Sequence, residues 1–88
     1  KNFYLSIDLP KKEDAMPERY LQNLNEIISK HTLTRDLRRF DVRQESIEAT
    51  YYIDMTDTGN LSALVDELQQ IFPAIGVTFL DQNRLPSV

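Results

Sequence analysis

Two alternating apolar runs of nearly the same make-up constrain this chain more than any other feature. Phe3-Tyr4-Leu5-Ser6-Ile7-Asp8-Leu9 and Ala49-Thr50-Tyr51-Tyr52-Ile53-Asp54-Met55 repeat apolar side chains at every second position, the period of a strand with one face buried. Each run is followed by a segment of helical spacing. A further strand pattern precedes the second run and another follows the second helical segment, so the order reads β-α-β-β-α-β. That order specifies a small four-stranded sheet with both helices on one side. It names no reaction.

The segments can be placed by their punctuation. The first run sets Phe3, Leu5, Ile7 and Leu9 on one face and Tyr4, Ser6 and Asp8 on the other, and Pro10, without an N–H for the ladder, ends it. Pro17 suits the first position of a helix, and Leu21, Leu24, Ile27 and Ile28 follow at helical spacing. Lys30 and His31 fall at the negative end of that helix dipole, so the helix stops near His31 or Thr32. Leu37 to Gln44 reads as a strand with Phe40 and Val42 on one face and Arg39, Asp41 and Arg43 on the other; a run so charged suits a sheet edge. Gln44-Glu45-Ser46 is the expected turn into a strand from Ile47 to Met55. This strand aims Ala49, Tyr51 and Ile53 at the helices and Glu48, Thr50, Tyr52 and Asp54 away. Thr58 or Asn60 is the expected N-cap of a second helix, which should bury Leu61, Leu64, Val65, Leu68 and Ile71 and close at Pro73. Gly76 to Leu80 is the last strand, giving a domain over residues 1–81 and a polar C-terminal tail over 82–88. In the usual order for this topology the first and third strands lie side by side in the centre, with the second and fourth at the edges, and the right-handed crossover rule limits the alternatives.

Length and composition narrow the function. Eighty-eight residues make one domain with one core. An apolar fraction of 41% and an aromatic fraction of 9% belong to an ordinary folded domain, and no apolar run nears the roughly 20 residues a bilayer span needs. Zero cysteines exclude disulfides, thiolate metal sites and cysteine nucleophiles, and fit a reducing compartment such as the cytoplasm. A net charge of −4 argues against general affinity for phosphate backbones or anionic membranes. The chain opens at Lys1 and enters a strand almost at once, which suggests a piece of something longer.

Enzyme chemistry finds little to work with. His31 is the single histidine, and its place at a helix end is explained by the dipole. Asp8 and Asp54, on adjacent strands, are the one pair resembling a carboxylate dyad, and an arginine such as Arg39 is the more natural partner for either. No His pair or Asp-rich loop offers metal-ligand spacing, so no metal or other cofactor is expected. Gly59 and Gly76 stand alone, without a glycine-rich phosphate cradle. The open sheet face is the better candidate. Tyr4 and Tyr52 can serve an interface, with Arg39 and Arg43 on the same face. The same tyrosines could stack RNA bases, but Asp8, Glu48, Asp54 and the net charge speak against nucleic acid.

The β-α-β-β-α-β order resembles the ferredoxin-like superfold, including ACT-type regulatory domains and the cytosolic C-terminal domains of MgtC-like membrane proteins. The stretch Glu48 to Met55, the Leu-rich helix Leu61 to Ile71 and the closing strand Val77 to Gln82 are also similar to the cytosolic tail domain of an uncharacterised family of bacterial multi-pass membrane proteins. That resemblance implies a cytosolic domain of a membrane-embedded parent. The ACT likeness implies a small-ligand sensor, whose loop here would be Asp8-Leu9-Pro10-Lys11-Lys12. It lacks the glycine that ACT ligand loops usually present. Neither the glycine-rich anion loop of acylphosphatases nor the paired cysteines of copper-carrying relatives is present.

The sequence therefore predicts a ferredoxin-like α+β sandwich, a four-stranded antiparallel sheet with two helices on one face. Its expected role is a non-catalytic regulatory or protein-interaction module that self-associates or meets a protein partner. The expected contact residues are Tyr4, Tyr52, Arg39 and Arg43. The alternative is an ACT-like sensor using Lys11 and Lys12.

Overall fold

A computed structural model describes residues 2–81. The elements run β1 (Asn2–Pro10), α1 (Pro17–His31), β2 (Thr34–Val42), β3 (Ser46–Asp54), α2 (Asn60–Ile71) and β4 (Gly76–Asp81). The strands form one antiparallel sheet in the order β2-β3-β1-β4, so the two alternating runs lie side by side in the centre. Phe3, Leu5, Ile7 and Leu9 of β1 and Ile47, Ala49, Tyr51 and Ile53 of β3 are all buried. They share one core with Leu24, Ile27 and Ile28 of α1 and Leu64 and Leu68 of α2. Both helices thus cover a single face, and the architecture is a ferredoxin-like α+β sandwich.

The helices stop where chemistry makes them stop. Pro17 opens α1, and at its far end the Thr32 hydroxyl donates to the Ile28 carbonyl at 2.9 Å, satisfying one of the carbonyls a helix end leaves bare. Neither Thr58 nor Asn60 caps α2 with its side chain. Gly59 is the N-cap, and the N–H groups of Asn60 and Leu61 each donate at 3.1 Å to the carbonyls of Asp57 and Thr58, so a backbone turn takes the place of a side-chain cap, braced by the Gly59 N–H donating to the Asp57 carboxylate at 2.9 Å. Ile71, expected in the core, is 53% exposed. It is the last residue of α2, and just beyond it Phe72 and Ile75 pack against the core, with the Phe72 ring 6.1 Å from that of Tyr20.

The strand β2 starts at Thr34, three residues before the hydrophobic pattern suggests, and ends at Val42, with Arg43 N–H donating to the Ser46 carbonyl at 2.8 Å around the turn. A bulge lies between Leu37 and Arg39. Its consequence is large, because one extra residue reverses which face every earlier side chain meets. Strict alternation from Phe40 would send Asp36 and Arg38 toward the helices. The bulge brings Leu37 opposite buried Tyr51 and Asp36 opposite Tyr52.

Candidate functional site

The sheet face away from the helices is ordered in rows set by strand register. Asp8 of β1 lies opposite Glu48 of β3 on one side and Gly76 of β4 on the other. The next row joins Arg39, Thr50, Ser6 and Thr78, and the next joins Asp36, Tyr52, Tyr4 and Leu80. Composition changes along the strands, from acidic through hydroxyl to aromatic.

In the aromatic row the rings of Tyr4 and Tyr52 lie 5.0 Å apart, tilted by 53°, within the contact distance of aromatic pairs and away from a face-to-face sandwich. The Arg38 guanidinium sits 5.0 Å from the centre of the Tyr52 ring and donates to Asp36 at 2.7 Å. Leu80, 45% exposed, ends the row on the β4 side. The result is a stripe of cation, aromatics and aliphatic side chain running across all four strands, uncovered by either helix.

The acidic row is part of a shallow basin of about 460 Å³, bordered by Asp8, Asp41, Glu48, Thr50, Gly76 and Thr78. Arg39 and Arg43, on the same open face, line this basin. Arg39 donates to Asp41 at 2.6 Å and Arg43 to Glu48 at 3.0 Å, both exposed pairs of small energetic worth. Ser6 and Thr50 hydroxyls meet at 3.4 Å on the basin floor. The suggested dyad does not form. Asp54 lies opposite Asn2, six residues along β1 from Asp8, a separation of roughly 20 Å at the rise of a strand. Among the described residues no cluster of His, Cys, Asp or Glu is arranged to hold a metal ion.

The loop after β1 is pinned by its own backbone. Lys11 N–H donates to the Glu45 carbonyl at 2.9 Å and Lys12 N–H to the Tyr20 hydroxyl at 3.3 Å, so these two amides are engaged within the chain. His31 is drawn into a contact between helices: its Nε2 lies 2.8 Å from Glu67 Oε1, and Lys30 Nζ donates to Glu67 Oε2 at 2.9 Å. This clamp holds α1 to α2 and faces neither the basin nor the stripe.

The structure thus joins Tyr4 and Tyr52, sets Arg39 one row from them on the same face, and pairs Arg39 with Asp41 and Arg43 with Glu48. The cation that does serve the tyrosines is Arg38. Its sign in the sequence was weak, because a bulge has no motif and strict alternation points Arg38 the other way.

No protein-family model matches the sequence, and no curated protein matches it. Solved structures do. An uncharacterized protein from Thermotoga maritima is similar at 21% identity over 91% of this chain and 94% of that one, with a TM-score of 0.60. A formyltetrahydrofolate deformylase from Pseudomonas putida KT2440 is similar at 12% identity over 98% of this chain and 30% of that one, with a TM-score of 0.61. A de novo designed protein with a ferredoxin fold is similar at 10% identity over 99% of this chain and 89% of that one, with a TM-score of 0.51. At such identities the likeness is one of fold, and the class is that of small ferredoxin-like domains. Among the described residues no helix is long and apolar enough to cross a membrane.

Proposed function

We propose that this domain is a non-catalytic protein-interaction module that offers its open sheet face to a neighbouring subunit. The observation that carries this reading is the stripe Arg38–Tyr52–Tyr4–Leu80, with Arg38 over Tyr52 and Leu80 exposed on the face away from α1 and α2. Tyrosine and arginine are the residue types that most often anchor protein contacts, since they combine large area with a polar handle. The rest of the face favours protein over nucleic acid. Asp8, Asp36, Asp41, Glu48 and Asp54 share it, and Arg38, Arg39 and Arg43 each bond to one of these carboxylates. Phosphate binding would have to displace those pairs.

Sedimentation velocity over a concentration series tests the reading. Tyr52→Glu places a charge in the stripe, so it should lower the weight-average mass while leaving the far-ultraviolet circular dichroism unchanged. An unchanged mass would remove the open face from consideration.

A further inference from the structure

We infer that the outer edge of β4 is a seam for a second copy of this chain, joining the two sheets antiparallel about a two-fold axis at Thr78. The inference goes beyond the open-face contact, concerns the backbone edge of β4, shares only Leu80 with the stripe and is tested separately from it.

The two edges of the sheet are built differently. β2 carries Arg35, Asp36, Arg38, Arg39 and Asp41 and is interrupted by a bulge, the devices by which an edge turns foreign strands away. β4 reads Gly76-Val77-Thr78-Phe79-Leu80-Asp81, with one charge at its end and neither proline nor bulge. Among the described residues no strand lies beyond β4. Its outward N–H and C=O groups are therefore a template of the kind that edge protection exists to hide.

Alternation narrows the register to pairings centred on one residue, Val77, Thr78 or Phe79, and Gly76 decides among them. Val77 and Phe79 lie on the helix side, opposite Ile7 and Leu5, while Gly76, Thr78 and Leu80 lie on the open side. Pairing centred on Thr78 sets Val77 against the partner's Phe79, Thr78 against the partner's Thr78 and Gly76 against the partner's Leu80, so every pair shares a face. A shift by one residue would set Val77 against the partner's Leu80, on opposite faces, and fails, while a shift by two keeps the faces matched but takes the partner's Leu80 away from Gly76.

Gly76 supplies an independent argument. Its φ is not positive, and a Cβ placed there would meet Asp8 Cβ at 3.6 Å, an ordinary contact. Nothing inside the described chain demands glycine at this point. A strand glycine without an internal reason marks close approach from outside, and the chosen register delivers the partner's Leu80 to that gap. Leu80, 45% exposed in one copy, would then close the side of the basin that Gly76 leaves open. The hydroxyl row Thr50–Ser6–Thr78 would run unbroken through both copies, ending in Arg39 at each side.

The chain contains no cysteine, so Thr78→Cys installs a unique thiol at the axis. Directly opposed residues of an antiparallel pair have Cα atoms about 4.5–5.5 Å apart, within disulfide reach. Oxidation of T78C should give a covalent dimer at a rate at least about tenfold that of Arg39→Cys on the β2 edge, as the separation of the two edges requires. Thr78→Lys, at an exposed position, should keep the circular dichroism and raise the dimer dissociation constant about tenfold, because two like charges would meet across the axis. Tyr52→Glu should leave the T78C crosslink in place. A T78C thiol that stays reduced, crosslinking no faster than at the β2 edge, or a wild type that is monomeric because residues 82–88 occupy the edge would each overturn the inference.

Discussion

Tyr4 and Tyr52 stand directly opposite one another in the β1–β3 ladder, with ring centres 5.0 Å apart. Forty-eight positions separate them in sequence. Both are half-buried, so the pair combines a packing role of about 0.5–1.5 kcal/mol with an accessible surface. Arg38 lies over Tyr52 on the side of β2. This three-residue unit, and not the more distant arginines, is the core of the open face.

Arg38 and Arg43 should therefore behave differently. Arg38→Ala removes the cation over Tyr52 and should weaken the face contact by roughly 0.5–1 kcal/mol, the scale of an exposed cation–π pair. Arg43→Ala breaks an exposed pair with Glu48 away from the tyrosine rings and should leave the association constant unchanged. Sedimentation equilibrium on the two variants separates these outcomes.

The two ends of α2 differ in what they bury. Leu64 is fully buried between α2 and the sheet, and Leu64→Ala should cost about 2–5 kcal/mol through the cavity it leaves. Ile71 is 53% exposed, and Ile71→Ala should change stability by no more than about 0.5 kcal/mol. Urea unfolding followed by circular dichroism measures both.

The pH profile of stability should have two limbs with identifiable causes. On the acid side, hydrogen bonds from Lys30 and then His31 hold the Glu67 carboxyl below its ordinary 4.5. The unfolded chain then binds the proton more tightly, so this stabilisation is complete above pH 4.5 and is lost as pH falls through the lowered folded value. On the alkaline side, burial pushes the Tyr51 phenol up from 10.0 to about 12, and its hydroxyl donates to Asn25 Oδ1 at 2.5 Å. Its contribution is complete below pH 10.0 and is lost as pH rises toward 12. Thermal unfolding across pH should show the acid limb flattened in Glu67→Gln and the alkaline limb flattened in Tyr51→Phe.

Much of this architecture could be read residue by residue. The period of two in Phe3 to Leu9 and again in Ile47 to Ile53 assigned the buried faces of β1 and β3, and Pro17 with the charges at Lys30 and His31 bounded α1 as found. What escaped was non-local. The start of β2 at Thr34 carries no apolar signal, since the backbone ladder to β3 needs no apolar side chain to form. The pairing of His31 with Glu67 depends on how α1 and α2 lie together, thirty-six positions apart. Ile71 follows the helical period faithfully, yet the chain turns away just after it.

The pattern of apolar residues by itself determined the element order, the buried faces and the amphipathic helices, because burial against water acts on each short segment through its own period. Only the tertiary structure decided which polar groups meet on the exposed side. One bulge at Arg38 turned Asp36 and Arg38 to the tyrosines, and the β1–β3 register parted Asp8 from Asp54. Both are set by ladder hydrogen bonds between distant segments, whose energy depends on the match of two strands and is written in neither alone.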